Sequence, residues 1–78
     1  MEFTSRVLYD EDLTYYNVLK IDEEKCKARL LDYYGYKPAL LPKEIALEKK
    51  GDRWVGDADE TILHYLNFDI NKKLELAK

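Results

Sequence analysis

Apolar and polar residues alternate along several stretches of this chain, and the alternation predicts strands before anything else is considered. Phe3, Val7 and Tyr9 are spaced by Thr4 and Ser5 and predict a strand from Phe3 to Tyr9. Asp10-Glu11-Asp12 follows as a compact acidic turn, and Tyr15 to Ile21 reads as a second strand rich in aromatic and branched residues. Its faces stay ambiguous, because Tyr16, Val18 and Lys20 alternate with Tyr15, Asn17, Leu19 and Ile21 and both sets carry apolar side chains. Pro38 and Pro42 bracket Ala39-Leu40-Leu41, a short extended piece that stops where proline offers no ladder hydrogen bond. Ile45, Leu47 and Lys49 alternate with Ala46 and Glu48 as a further strand; Lys50-Gly51-Asp52 is a turn, and Arg53-Trp54-Val55 a short extended segment.

Two segments read less simply. Asp22-Glu23-Glu24-Lys25 either caps a helix running to Leu31, with Asp22 as N-cap, or turns a hairpin in which Cys26, Ala28 and Leu30 alternate with Lys27, Arg29 and Leu31. Local propensity favours the helix, and the shortness of the apolar run, closed by Gly35, favours the hairpin. Near the C-terminus, Asp57 or Asp59 can cap a helical turn through Thr61, Ile62 and Leu63. Phe68, Ile70, Leu74 and Leu76 then fit a terminal helix, with Asn67 or Asp69 near its start and Lys72, Lys73 and Lys78 towards its end.

The stretch Asp32-Tyr33-Tyr34-Gly35-Tyr36 carries the main functional signal. Strand side chains alternate faces, so these rings cannot all point into a core. Exposed, clustered aromatics mark a binding surface or the sealed mouth of a small barrel, and a cup of ring faces can grip a methylated ammonium by cation–π attraction.

Composition narrows the picture. The chain has 78 residues, enough for one small domain spanning residues 1–78 and too few for a deep, walled cleft. Its 46% hydrophobic and 37% charged content is that of a soluble globular protein. No apolar run is long enough to span a membrane, and no signal peptide is legible at the N-terminus. The single cysteine, Cys26, fits a reducing compartment, and one Cys with one His (His64) cannot build a structural zinc site, so no metal or cofactor is expected. No nucleophile–base pair or glycine-rich phosphate loop is present in the sequence, which points away from an enzyme. The net charge of −3 argues against a primary grip on phosphate backbones and suits a basic peptide partner.

Three pieces of the chain resemble the Tudor and chromo-barrel group, the SH3-like barrels that read methylated histone tails. Val7-Leu8-Tyr9-Asp10-Glu11-Asp12, followed by Tyr15-Tyr16-Asn17-Val18-Leu19-Lys20-Ile21-Asp22, resembles the opening Tudor hairpin. Leu31-Asp32-Tyr33-Tyr34-Gly35-Tyr36 looks like the aromatic-x-Gly-aromatic step of both groups. Asp52-Arg53-Trp54-Val55, with Ile62-Leu63-His64-Tyr65 and the closing helix, is similar to the tryptophan segment and terminal helix of chromo barrels in the mortality-factor-related and male-specific-lethal families.

The resemblance covers most of the chain and selects the hairpin for residues 22–31. It implies a mainly β fold: a small SH3-like five-stranded antiparallel barrel with a C-terminal α-helix. It also implies a non-catalytic, nuclear, chromatin-associated reader of methylated lysine. The cage would be built from Tyr9, Tyr16 (or its neighbour Tyr15), Tyr33 and Tyr36, with Trp54 in the core and Asp10, Glu11 and Asp12 flanking the guest. The implied partners are a methylated histone tail and the subunits of a chromatin-modifying complex; separately, the basic stretch of Lys43, Lys49, Lys50 and Arg53 reads as a solvated face or a weak DNA contact near the tail. The chain departs from the pattern in having Gly51 where chromo barrels carry a further cage tryptophan, and an insert from Pro38 to Lys50. Pro38 also takes the place of the asparagine with which Tudor domains hold dimethylarginine. The alternative is therefore a barrel with a degenerate cage serving as a protein- or DNA-binding scaffold.

Overall fold

The computed structural model describes residues 1–9, 11–35 and 41–76. Five strands, β1 (Glu2–Tyr9), β2 (Asp12–Lys20), β3 (Lys25–Tyr34), β4 (Glu44–Lys50) and β5 (Arg53–Val55), precede one helix, α1 (Glu60–Leu76). All neighbours in the sheet are antiparallel and follow chain order, β1-β2-β3-β4-β5. The sheet curls into a half-barrel of the small SH3-like kind expected from the sequence, with the C-terminal helix packed against β1 and β5.

Turn chemistry sets the register. Tyr9 pairs with Asp12 and Lys50 with Arg53, so two-residue loops join β1 to β2 and β4 to β5. The second loop opens on Gly51 at φ 67, a conformation glycine adopts without penalty; in the first, Glu11 holds φ 68 against the steric preference of its Cβ. The acidic turn is thus shorter than its three acids suggested, and Asp12 already belongs to β2. The 22–31 segment is the hairpin and not the helix. The Asp22 carboxylate accepts the Glu24 N–H at 2.8 Å, an Asx turn, and the Lys25 carbonyl accepts from Ile21 at 2.9 Å.

The concave face buries Ser5 and Val7 of β1, Thr14, Tyr16 and Val18 of β2, Cys26 and Ala28 of β3, Ile45 and Leu47 of β4, and Trp54 of β5. This resolves the ambiguity in β2, whose even-numbered residues face the core. Leu41, just ahead of β4, is buried there too; Ala39 and Leu40, expected to extend that piece, lie outside the described residues.

One continuous helix replaces the expected turn and separate terminal helix. Asp59 is its N-cap, its carboxylate accepting the Thr61 N–H at 2.8 Å. Ile62, Leu66 and Ile70 recur every fourth residue, are fully buried and form the stripe that faces the sheet. Each such side chain contributes roughly 1.5–3 kcal/mol by leaving water.

Asn67 and Asp69, expected near a helix start, instead sit mid-helix and attach it to both sides of the sheet. Asn67 Oδ1 accepts the backbone N–H of Trp54, and Asn67 Nδ2 donates to the Trp54 carbonyl at 2.7 Å and to the Leu63 carbonyl at 2.8 Å. One amide therefore occupies both outward polar groups of the edge residue. Ser5 Oγ of β1 donates to Asp69 Oδ2. The Trp54 indole itself is fully buried, and among the described residues its Nε1–H has no hydrogen-bond partner, so the ring contributes chiefly its volume.

Replacing Asn67 with Ala removes partners from two partly buried backbone groups of Trp54. The expected loss is about 2–3 kcal/mol, since each orphaned group costs about 1–3 kcal/mol. Urea unfolding should show the midpoint fall with an unchanged m-value, while Asn71→Ala, whose amide makes only an exposed 3.5 Å contact with the Asp52 carbonyl, should move stability by less than about 0.5 kcal/mol.

Candidate functional site

A β-bulge decides where the tyrosines go. Tyr16 pairs with Leu30 and Tyr15 with Asp32, leaving Leu31 as an extra residue in β3. Before the bulge the even residues Cys26, Ala28 and Leu30 face inward; after it the parity flips, and Tyr33, opposite the buried Thr14, takes the inward side. Tyr34 turns outward beside Leu13, 62% exposed, and meets Tyr15 edge-to-face at a ring separation of 6.0 Å. The two adjacent tyrosines thus serve opposite faces of the sheet.

At the turn end of the concave face, Asp12 is the point to which two tyrosines are tied, one by register and one by a hydrogen bond. Tyr9 is the cross-strand partner of Asp12, and Tyr33 donates its hydroxyl to Asp12 Oδ2 at 2.9 Å. Tyr9 and Tyr33 are half-buried, resting on the core cluster with part of each ring accessible. The Asp12 carboxylate is also half-buried, and its Oδ1 takes no hydrogen bond among the described residues. Gly35 closes the arrangement, since a Cβ there would run into the Asp12 carboxylate and the Tyr33 hydroxyl. That close approach is a physical reason for glycine in the aromatic-x-Gly-aromatic step. Beyond Tyr33 an open hollow of about 450 Å³ runs past Leu30 and Lys43.

Of the four expected cage tyrosines, Tyr9 neighbours Asp12 across the strand pair, Tyr33 reaches Asp12 with its hydroxyl, and Tyr16 lies in the core. Tyr16 is fully buried, and its hydroxyl donates to the Pro42 carbonyl at 2.9 Å. Burial pushes its phenol up to about 12, as expected for an ionisable group held away from water. Its ring is committed to the core, a correction to the expected cage. Tyr15 does not replace it, because it stands on the opposite face. Tyr36 lies outside the described residues, as does Asp10.

Cys26 is buried, and burial raises its thiol against the partial compensation of Lys20, the opposite of what a reactive cysteine needs. His64 is exposed and lies edge-to-face with Tyr65. In the basic stretch of the insert, Lys50 pairs with Glu48 and Arg53 with Glu60, each at 3.1 Å, so two of its four cations already face carboxylates. Among the described residues no three His, Cys, Asp or Glu side chains gather as a metal site requires, and no helix is long and apolar enough to cross a membrane.

No protein-family model, curated protein or solved structure matches the chain.

Tyr16 yields a pH prediction. Its folded-state pKa of about 12 lies above the ordinary value of 10.0, so its contribution to stability is complete below pH 10 and is lost as pH rises from 10 to 12. Tyr16→Phe should cost about 1 kcal/mol at neutral pH, through the lost bond to Pro42, and should flatten that alkaline fall. Thermal unfolding of both proteins across pH 7–12 checks it.

Proposed function

We propose that the protein is a non-catalytic reader module that takes a methylated lysine of a histone tail at the open end of its half-barrel. The observation that carries the reading is the Asp12 carboxylate, paired by register with Tyr9 and anchored by the Tyr33 hydroxyl, with one oxygen unengaged among the described residues. Two ring faces supply cation–π attraction, and the carboxylate supplies the counter-charge.

Chemistry then selects among methylation states. A mono- or dimethylated ammonium keeps an N–H that can donate to Asp12 Oδ1, and a trimethylated one has none. The site is therefore a reader of the lower states. With Tyr16 in the core, and Gly51 where related barrels carry a tryptophan, few rings surround the guest. Binding is weak, with a Kd of about 0.1–1 mM, roughly 4–5.5 kcal/mol, as suits a module acting beside others in a chromatin complex.

Tyr16 burial also favours a second reading, in which the same half-barrel is a scaffold that binds protein or DNA without reading methylation.

An NMR titration with one histone-tail peptide in unmodified, mono-, di- and trimethylated forms separates the two. The reader should show shifts at Tyr9, Asp12 and Tyr33 that are largest for the mono- and dimethyl forms. Asp12→Asn should remove that preference while leaving the spectrum folded. Equal shifts with unmodified peptide would exclude the reader and leave the scaffold.

A further inference from the structure

The two edges of the sheet are treated in opposite ways. β5 is three residues long, and Asn67 occupies the outward N–H and C=O of Trp54. β1 is eight residues long and pairs with β2 from Glu2 to Tyr9 with no register shift. Lys20 donates its N–H to the Met1 carbonyl, so odd-numbered residues of β1 make the ladder bonds. The backbone N–H and C=O groups of Thr4, Arg6 and Leu8 consequently point away from β2. A long edge without bulge or proline is a template for an added strand.

A groove of about 420 Å³ lies along this edge, between β1 and α1. Phe3, Tyr65 and Phe68 give it aromatic walls, with Phe68 62% exposed, and Arg6, Lys72 and Lys73 give it positive charge. Lys72 Nζ lies 6.0 Å from the Phe68 ring centre and Lys73 Nζ 5.8 Å from that of Phe3. Among the described residues none of the three cations has a carboxylate partner, and the groove's one acid, Asp69, is engaged by Ser5. The rest of the chain is acidic enough to make the net charge −3, so the groove's sign is local.

The geometry points to a second recognition site: an acidic, extended peptide that adds as a sixth strand along β1, its acids meeting Arg6, Lys72 and Lys73. Backbone bonds to Thr4, Arg6 and Leu8 supply register, and alternate apolar side chains pack on Phe3 and Phe68. A second copy of the chain fits this edge poorly, because two such edges would bring three unpaired cations against three others. Nucleic acid would match the charge and the rings but would leave the strand's donors and acceptors unused. The site stands independently of the methyl-lysine reading.

The test is fluorescence anisotropy with a labelled ten-residue peptide alternating glutamate and valine. Its comparators are the same peptide with lysine for glutamate, a version N-methylated at alternate backbone amides, and a ten-nucleotide oligothymidine. The acidic peptide should bind, with amide shifts at Thr4, Arg6 and Leu8. Arg6→Glu with Lys72→Glu, both exposed positions, should weaken it at least tenfold, and Phe68→Ala severalfold, with circular dichroism unchanged. N-methylation should abolish binding. Equal binding of the lysine or N-methylated peptide, tighter binding of the oligonucleotide, or a sedimenting dimer that takes up no peptide would overturn the proposal.

Discussion

The side-chain amide of Asn67 stands where the next strand of a sheet would stand, accepting from the N–H and donating to the C=O of Trp54. A five-stranded sheet curled only halfway leaves two edges and an open concave face. Something must cover the apolar side and satisfy the last strand's polar groups together. The helix does both, because Ile62, Leu66 and Ile70 repeat at its period and Asn67 falls one residue beyond that stripe, level with β5. At the opposite side Ser5 and Asp69 make the corresponding attachment to β1. A single-residue displacement of the helix would move every one of these groups off its partner.

That attachment makes the molecule asymmetric. Where the amide meets β5 the edge is short and filled; where the helix meets β1 it touches the inward-facing Ser5 and leaves the outer backbone groups uncovered. The turn end of the concave face also lies open, and there Asp12 is tied to Tyr9 by register and to Tyr33 by a hydrogen bond. Both proposed recognition surfaces are consequences of a barrel closed by a helix in place of strand-to-strand pairing.

The fold was largely legible in the sequence, because alternation, turn residues and the terminal helical repeat are local signals. Gly51 and the paired acids announced their loops, and the strands at 3–9, 45–49 and 53–55 follow period two. The site was less legible. Whether Tyr15 or Tyr16 faces the core depends on pairing, and the bulge at Leu31, which sends Tyr33 inward and Tyr34 outward, carries no glycine or other local mark in Leu30-Leu31-Asp32-Tyr33-Tyr34. Asn67 did carry a signal: a polar residue four after Leu63 and three before Ile70 sits beside a buried stripe and needs a partner there. The competing signal is that asparagine is common at helix caps, which points to a helix start at the same residue. Asp12 was legible as an acid near the rings, but the hydroxyl that orients it was not.

The dependence of the fold on the Asn67 clasp is open to direct measurement through native-state hydrogen exchange of the Trp54 backbone amide. An edge-strand amide bonded only to water exchanges by local fraying, whereas one held by the clasp exchanges only when the helix leaves the sheet. The Trp54 amide should therefore exchange as slowly as those of Val7 and Val18, in the slowest class of the protein. Exchange as fast as an exposed loop amide, with Val7 and Val18 still protected, would contradict the account.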